Sequence, residues 1–395
     1  MPRAAEGVLT VLARSQLGKR TVASDERWHV CTKRGHAEGV FRLMALLAGL
    51  AGVTDLGAGG QPDESLRRCV LATRLAHLTG CSEVVVRDVQ QVALLGHIGC
   101  LAWSHETGNI WGDDVAVTHA ALMADPASAA HAARLVVPMV AAATGRSRPG
   151  VAVTMLRTSR HTNREAPVAT CQVAEAAGRR LAFSPLVVAS LGHVTAGWNG
   201  SGYPPARGEH IPLPARLMHV AMVAVLFADG FGLEAATAEV RRRAGGHLDP
   251  ELAAACGSAM AKLCEGLDSE DPFSMVLDLE PDPVARVDGA GLADIARVCG
   301  ELVDLKSPWL HGHSSTVAEL AASAATEMGL PEAEQVRVAG YLHDVGRAGL
   351  PSRLWGLARP WTAAERDQVQ LHVYYTERVL ARVPELGAIA GLAGL

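Results

Sequence analysis

Apolar residues recur at helical spacing along most of the chain, and short runs rich in glycine and proline interrupt them. The spacing predicts helices over residues 40–51, 66–80, 82–97 and 216–227, and through much of 291–395. Alanine and leucine dominate, and β-branched residues do not cluster as they do in strands. The pattern therefore predicts an all-α protein.

Irregular stretches divide these helices into four parts. Residues 55–62 and 192–204 are rich in glycine and must form turns or loops, and Asp63 is placed to cap the helix that follows the first. Residues 268–288 contain three prolines and several acids, which is typical of a linker. The expected division is a variable N-terminal extension over 1–40, one domain over 41–230, a helical hairpin and linker over 231–288, and a second domain over 289–395.

The charge balance argues against two classes of partner. The chain has 36 Lys and Arg residues against 41 Asp and Glu, a net charge of −5, and no basic recognition helix, so nucleic-acid binding is not supported. It has no run of roughly 18 uncharged apolar residues and no secretory signal near its start. We therefore expect no membrane association and a cytoplasmic location.

The cysteines are scattered, without a C-x-x-C pair, so neither a zinc ribbon nor a disulfide framework is expected. Free thiols in a reducing cytosol are the simpler interpretation. The eight positions are Cys31, Cys69, Cys81, Cys100, Cys171, Cys256, Cys264 and Cys299.

A histidine and an aspartate, His343 and Asp344, stand side by side at the end of an apolar segment, followed by Gly346 and Arg347. An imidazole and a carboxylate are costly to bury in a helical core unless something binds them. A divalent metal is the usual partner, because histidine nitrogen and carboxylate oxygen are both good ligands for first-row metals. A hydrogen-bonded structural pair is the alternative.

Two segments of the chain are alike. Glu64, Ala72 and Gly80 in the first have the same spacing as His313, Ala321 and Gly329 in the second. A further helix follows in each segment, and both of these helices end in the same six-residue pattern, at 94–99 and at 341–346. The pattern is two apolar residues, two variable residues, one apolar residue and glycine. This pattern favours duplication over chance matching of alanine-rich helices.

The two copies differ where chemistry would take place, and only the second keeps the metal-type residues. At matching positions, the first copy has Glu64, Gly96, His97 and Cys100 where the second has His313, His343, Asp344 and Arg347, respectively.

The glycine-tyrosine-proline run at 200–204 and the His-Asp-Val-Gly-Arg run at 343–347 resemble the two halves of the HD-GYP domain, a branch of the HD metal-dependent phosphohydrolases. The likeness is weak over 43–230 and strong over 290–395. The C-terminal stretch is also similar to the HD-GYP module found beside a LuxR-type helix-turn-helix. Complete members of the family resemble cyclic-dinucleotide phosphodiesterases.

The resemblance implies a ligand set for a divalent metal, iron, manganese or similar, in a mono- or dinuclear site. His313, His343, Asp344 and His372 match the family's metal ligands, and Asp344 would bridge two metals. Arg347 stands where the family has lysine and would face the phosphate, so Asp344 and Arg347 are the expected catalytic residues. Two simpler roles stay open: His372 could cap a helix, and Arg347 could offset a helix dipole.

The departures from the family pattern shape the expected fold. The second copy stops before the family's His-His-Glu and Gly-Tyr-Pro elements, while the first copy has His193, Asn199 and Met222 at positions where the family has metal ligands or acids. The prediction is an all-α protein of tandem HD-type helical bundles, the first degenerate and the second incomplete. Two alternatives stay open for the remaining polar residues of the first copy. A substitute metal cluster could form from His97, His105, Glu106, Asp113 and Asp114, and the loop 198–203 could bind a ligand, but caps and turns are the simpler roles.

The leading prediction for function is an HD-GYP-like phosphodiesterase acting on a phosphodiester or nucleotide, such as cyclic di-GMP. The alternative is a non-catalytic sensory or dimerisation module of a transcriptional regulator. A homodimer is a possible assembly.

Overall fold

Helices make up nearly all the regular structure in residues 39–394, the part of the chain that this computed structural model describes. The predicted extension over 1–40 and Cys31 therefore fall almost entirely outside the described residues. The helices of the first part are α1 (Leu43–Ala58), α2 (Glu64–Leu78), α3 (Glu83–Leu95), α4 (Ser104–Trp111), α5 (Asp114–Met123), α6 (Ala129–Thr144), α7 (Arg148–Arg180), α8 (Pro185–Leu191) and α9 (Leu213–Phe231).

The rest of the chain continues in the same way. Its helices are α10 (Leu233–Arg243), α11 (Pro250–Leu263), α12 (Pro272–Asp278), α13 (Gly289–Asp304), α14 (His313–Glu327), α15 (Ala333–Leu342), α16 (Ala363–Leu380) and α17 (Gly387–Ala393). Short 3-10 helices lie between them, at Cys100–Trp103, Gly208–His210, Pro308–Leu310, Val345–Gly349, Ser352–Gly356 and Pro384–Leu386. The all-α prediction is confirmed.

Two expectations about local structure need correction. The stretch 268–288 is not a plain linker, because it contains helix α12 and the strand β2 (Arg286–Val287). This strand pairs antiparallel with β1 (Phe41–Arg42), which ties the start of the described chain to its middle. Asp63 does not cap α2, because its backbone has φ 65° and its side chain pairs with Arg382 instead.

The duplication seen in the sequence is present in the fold. Helices α2 and α14 both have 15 residues, and each follows a residue in the left-handed region, Asp63 at φ 65° and Gly312 at φ 74°. In each copy a buried aspartate accepts hydrogen bonds from the amide and hydroxyl of the second helical residue, Asp55 from Ser65 and Asp304 from Ser314. The shared hydrogen-bond pattern shows that the two copies have the same local structure at the start of this helix.

One continuous hydrophobic core runs through both copies. It includes Leu47, Leu71 and Val223 from the first and Ile295 and Leu342 from the second, all nearly inaccessible to solvent. Burial of this much apolar surface is the main stabilising contribution to such a helical protein.

A buried ion pair also joins the two copies. Lys306 Nζ lies 2.7 Å from Asp114 Oδ2, and both side chains are fully buried. The same ammonium donates to the carbonyl of Ala348, and Asp114 also accepts from the amide and hydroxyl of Ser352. Because the bonds of Asp114 with Lys306 and Ser352 cross from α5 to the second copy, these contacts hold the region next to Arg347 against the first copy.

Within residues 39–394, two helical segments are long and apolar enough to cross a bilayer, Glu83–Trp111 and Leu213–Phe231. Of their apolar windows, 78% and 72% are buried inside the protein, as in core helices. The cytoplasmic location stays a prediction. The seven cysteines within residues 39–394 are free thiols, in agreement with the sequence interpretation.

Candidate metal centre

His343 and Asp344 follow the last residue of α15. His343 keeps helical backbone angles, whereas Asp344 (φ −113°, ψ 9°) leaves the helix and starts the 3-10 helix Val345–Gly349. The pair therefore lies at a helix end, as the sequence indicated. This change of backbone direction brings both side chains to one point, with His343 Nε2 2.8 Å from Asp344 Oδ2.

His313 is the first residue of α14 and is fixed by its neighbours. Gly312 supplies the positive φ that turns the chain into the helix. Ser314, the next residue, is held by the buried carboxylate of Asp304 through two hydrogen bonds of 2.9 Å. His313 Nε2 then lies 3.1 Å from Asp344 Oδ2 and 3.2 Å from His343 Nε2.

His372 comes from α16, which approaches the 3-10 helix closely because Gly346 has no side chain. A Cβ at Gly346 would lie 2.0 Å from the carbonyl oxygen of His372. The hydroxyl of Thr376 accepts from the Gly346 amide and donates to the His343 carbonyl. His372 Nε2 is consequently 3.3 Å from Asp344 Oδ1. The structure thus brings together all four residues that the resemblance implies as ligands.

The ring tautomers suit metal binding. His343 Nδ1 lies 2.8 Å from the carbonyl of Gly340, and His372 Nδ1 lies 2.6 Å from that of Val369. A carbonyl oxygen only accepts hydrogen bonds, so each Nδ1 carries a proton, and Nε2 of the neutral ring has a free lone pair. Metal-binding histidines are usually oriented in this way.

The donor set fits a divalent cation. Lone pairs on Nε2 and the carboxylate of Asp344 repel each other at these distances unless a proton or a cation lies between them. His313, His343 and Asp344 each offer one ligand atom, and these atoms lie within 4.8 Å of one another. Nitrogen and carboxylate oxygen suit the first-row metals.

The electrostatics of Asp344 keep it ionised. Burial raises the pKa of this carboxyl, but without a metal the contacts with the His313 and His343 rings in their protonated form and the charge of Arg347 outweigh burial and hold the pKa well below its usual range. For His343, burial lowers the pKa, but the bond to Asp344 and its charge dominate, and the net shift is upward. Asp344 is therefore an anion that attracts cations.

Arg347 also contacts this carboxylate, with Nη2 2.7 Å from Asp344 Oδ2. Its guanidinium carbon lies 4.8 Å from the ring centroid of Trp355. Within residues 39–394, its Nε and Nη1 have no hydrogen-bond acceptor although both are buried. Sequence reasoning missed Trp355, whose only signal is that tryptophan is rare in this chain, with seven in all.

At the matching place in the first copy, a side-chain cation occupies the interior. Arg68 is fully buried and contacts the ring of His97 at 2.9 Å, with Glu64 at 3.8 Å. Its other donors bind the Ala93 carbonyl and the Ser65 hydroxyl. The guanidinium thus fills the space next to the residues that replace the ligands, and the first copy is degenerate, as expected.

The other polar residues of the first copy have structural roles. Asp113 caps α5 by accepting from the Ala116 amide, Asp114 binds Lys306, and His105 contacts Asn109. Across the described residues, none of these belongs to a group with metal-ligand geometry.

The Gly-Tyr-Pro loop is a packed turn. Trp198 and Asn199 donate their amides to the carbonyls of His247 and Gly246. A Cβ at Gly202, which has φ 80°, would lie 1.8 Å from the carbonyl oxygen of Thr195. The loop therefore needs glycine for its own packing.

Comparison with known proteins distinguishes the second copy from the rest of the chain. Residues 297–395, which include all four clustered residues, match the family model described as HD domain. The 3'3'-cGAMP-specific phosphodiesterase 3 of Vibrio cholerae serotype O1 is 26% identical over 365 residues, covering 91% of this chain and 79% of the relative.

The fold is also found among solved structures. The crystal structure of a cyclic GMP-AMP specific phosphodiesterase of V. cholerae, V-cGAP3, has a TM-score of 0.65 at 24% identity, covering 90% of this chain and 87% of that one. The likeness of fold thus extends over both copies. These relatives give no support to the similarity with LuxR-type regulators.

Proposed function

We propose that the chain, whose residues 297–395 match the HD domain, is a metal-dependent phosphodiesterase that hydrolyses a cyclic dinucleotide. The observation that carries the proposal is the convergence of three Nε2 atoms, from His313, His343 and His372, on the buried carboxylate of Asp344. The specificity of the Vibrio relative makes 3'3'-cGAMP the first substrate to test. Cyclic di-GMP, expected from the sequence, is the second, and assignment to the HD-GYP branch is part of the proposal.

His313, His343, Asp344 and His372 would hold the metal, for which iron and manganese are the candidates. When bound, such an ion lowers the pKa of a water ligand and polarises a phosphoryl oxygen. The two oxygens of Asp344 face different partners, Oδ2 towards His313 and His343 and Oδ1 towards His372. This division supports the proposed bridging role of Asp344 between two ions.

Arg347 would stabilise the charge that develops on the phosphate. Its Nη2 is engaged with Asp344, and its two remaining donor positions have no acceptor among residues 39–394. A guanidinium with free N–H groups binds phosphoryl oxygens well and keeps its charge at any physiological pH. The substrate is then a nucleotide small molecule. Cytoplasmic location and a homodimer remain part of the proposal.

The test compares matched variants of the full chain. Manganese-loaded protein should hydrolyse 3'3'-cGAMP or cyclic di-GMP, and His343→Ala and Asp344→Ala should lose both turnover and bound metal. His311→Ala is the control, because this histidine is exposed and two residues from His313. Wild-type protein that binds no manganese when it is supplied and turns over neither substrate would instead support the non-catalytic sensory or dimerisation module.

A further inference from the structure

We propose that Trp355 is a positioning residue for Arg347: the face of its indole ring holds the guanidinium beside Asp344, where its charge would meet a phosphoryl oxygen. The inference rests on the proposed function and deepens it, since it concerns how the same site takes up its phosphate. It assigns a role to a residue that the metal ligands do not explain.

The contacts of Arg347 carry this inference. Its guanidinium has two interactions among the described residues, the ion pair with Asp344 and the ring of Trp355, 4.8 Å from its centroid. Holding a guanidinium only by hydrogen bonds would use up the donors that should bind substrate. A π face attracts the cation without accepting these N–H groups in the guanidinium plane. The ring therefore fixes Arg347 while Nε and Nη1 stay unpaired.

Two aromatic rings pack against Trp355. Trp361 meets Trp355 edge to face, with centroids 6.1 Å apart at 83°, and its indole N–H donates to the Leu354 carbonyl. On another side Trp355 meets His372 edge to face at 6.5 Å and 88°. Trp355 thus links the ligand His372 with the cation Arg347. Any shift of this ring would move both.

The pairing depends on arginine. A planar guanidinium stacks on an aromatic face, whereas lysine presents a compact and strongly hydrated ammonium group. If Trp355 acts through Arg347, its loss should matter much less when residue 347 is lysine. A purely structural role in packing the 3-10 helix Ser352–Gly356 would give equal losses in both backgrounds.

The experiment is a double-mutant cycle on the full manganese-loaded chain. Trp355→Leu should lower kcat/KM for 3'3'-cGAMP about 10-fold in the wild-type background and less than about 3-fold in Arg347→Lys. Trp355→Phe keeps an aromatic face and should retain most activity, which also covers the case in which Trp355→Leu folds poorly. Trp309→Ala is the control, because this tryptophan is 82% exposed and four residues before His313.

Inorganic phosphate provides a second readout that does not require turnover. Calorimetry with manganese present should show weaker phosphate binding by Trp355→Leu and unchanged binding by Trp309→Ala. Equal losses in both backgrounds of the cycle, or equal phosphate affinity of Trp355→Leu and wild type, would overturn the role of Trp355. Turnover by the wild type in that case would leave the proposed function intact. A wild type that binds phosphate but hydrolyses neither cyclic dinucleotide would refute only the proposed function. A wild type that neither binds phosphate nor hydrolyses these substrates would refute both the function and the role of Trp355.

Discussion

Asp304 accepts hydrogen bonds from both the amide and the hydroxyl of Ser314, each 2.9 Å long, and so fixes the first turn of α14. Ser314 directly follows His313, so a carboxylate outside the metal centre determines where the first histidine points. Asp55 and Ser65 keep the same bonds in the first copy, where no metal-type residues remain. The pair is therefore part of the fold's framework and was not lost with the site.

Removal of this framework bond should affect both stability and metal binding. Asp304→Ala leaves two buried donors of Ser314 without an acceptor, which should lower the free energy of unfolding by about 1–3 kcal/mol. Chemical denaturation measures this loss, and a manganese titration should show weaker binding because His313 is no longer fixed. The control is Asp294→Ala, at an exposed position of α13, the helix that ends at Asp304. It should change stability by less than about 0.5 kcal/mol. Equal effects of the two variants would show that Asp304 has no special role.

The contact between the 3-10 helix and α16 should not tolerate a methyl group. In Gly346→Ala the new Cβ would lie 2.0 Å from the carbonyl oxygen of His372, so the backbones must separate. We expect a loss of about 3 kcal/mol in stability, together with loss of metal binding. Gly356→Ala is the matched control, since its Cβ would meet nothing within 4 Å. Thermal unfolding of both variants decides the question, and a Gly346→Ala protein with wild-type Tm would contradict the close contact.

The degenerate first copy should have a pH-dependent stability of its own. Burial, and then the nearby charge of Asp55, raise the pKa of Glu64 to about 7, although Arg68 opposes this shift. A carboxyl group with a raised pKa in the folded state costs stability as pH rises from its unfolded value of 4.5 through 7. Glu64→Gln should therefore stabilise the protein at pH 8 by about 2 kcal/mol relative to wild type, and by much less at pH 5. Denaturation at both pH values measures the difference.

Glu83→Gln is the control for this experiment, because Glu83 is exposed at the start of α3. This substitution of an exposed side chain should change stability by less than about 0.5 kcal/mol. A Glu64→Gln difference that does not change with pH would show that Glu64 is not held in an unfavourable charged state at pH 8.

The ion pair between the copies should be expensive to break. Lys306→Met leaves the carboxylate of Asp114 buried with only Ser352 as a partner. Loss of one member of a buried pair costs about 3–5 kcal/mol. Denaturation should show this loss, whereas Lys262→Met, at an exposed lysine of α11, should be close to neutral. Small and equal effects of both substitutions would mean that the pair does not hold the copies together.

The sequence predicts much of the ligand set because each ligand has a local signal. His343 and Asp344 stand at the end of an apolar helix, and His313 and His372 follow from spacing and family resemblance. The duplication can be recognised in the sequence for the same reason, because the residues at helix ends and turns recur in the same order in both copies. The metal role of these residues stays a prediction until it is measured.

Residues whose role depends on distant contacts could not be predicted in this way. Trp355 reaches Arg347 only through the turn between two 3-10 helices, and Lys306 meets Asp114 across the boundary between copies. Arg68 has the sequence signature of a surface charge on α2 but is buried where the second copy has its ligand cluster. The stretch 268–288 is expected to be irregular but contains α12, because proline can start a helix, as Pro272 does.

We propose that this chain hydrolyses a cyclic dinucleotide with a metal held at Asp344. Chromatography of the products formed from 3'3'-cGAMP by the chelator-treated chain, with and without added manganese and beside Asp344→Asn, tests this most directly. We expect linear nucleotide product only with manganese and only from the wild type. Product formation by Asp344→Asn at the wild-type rate, or none by metal-loaded wild type from 3'3'-cGAMP and cyclic di-GMP, would contradict it.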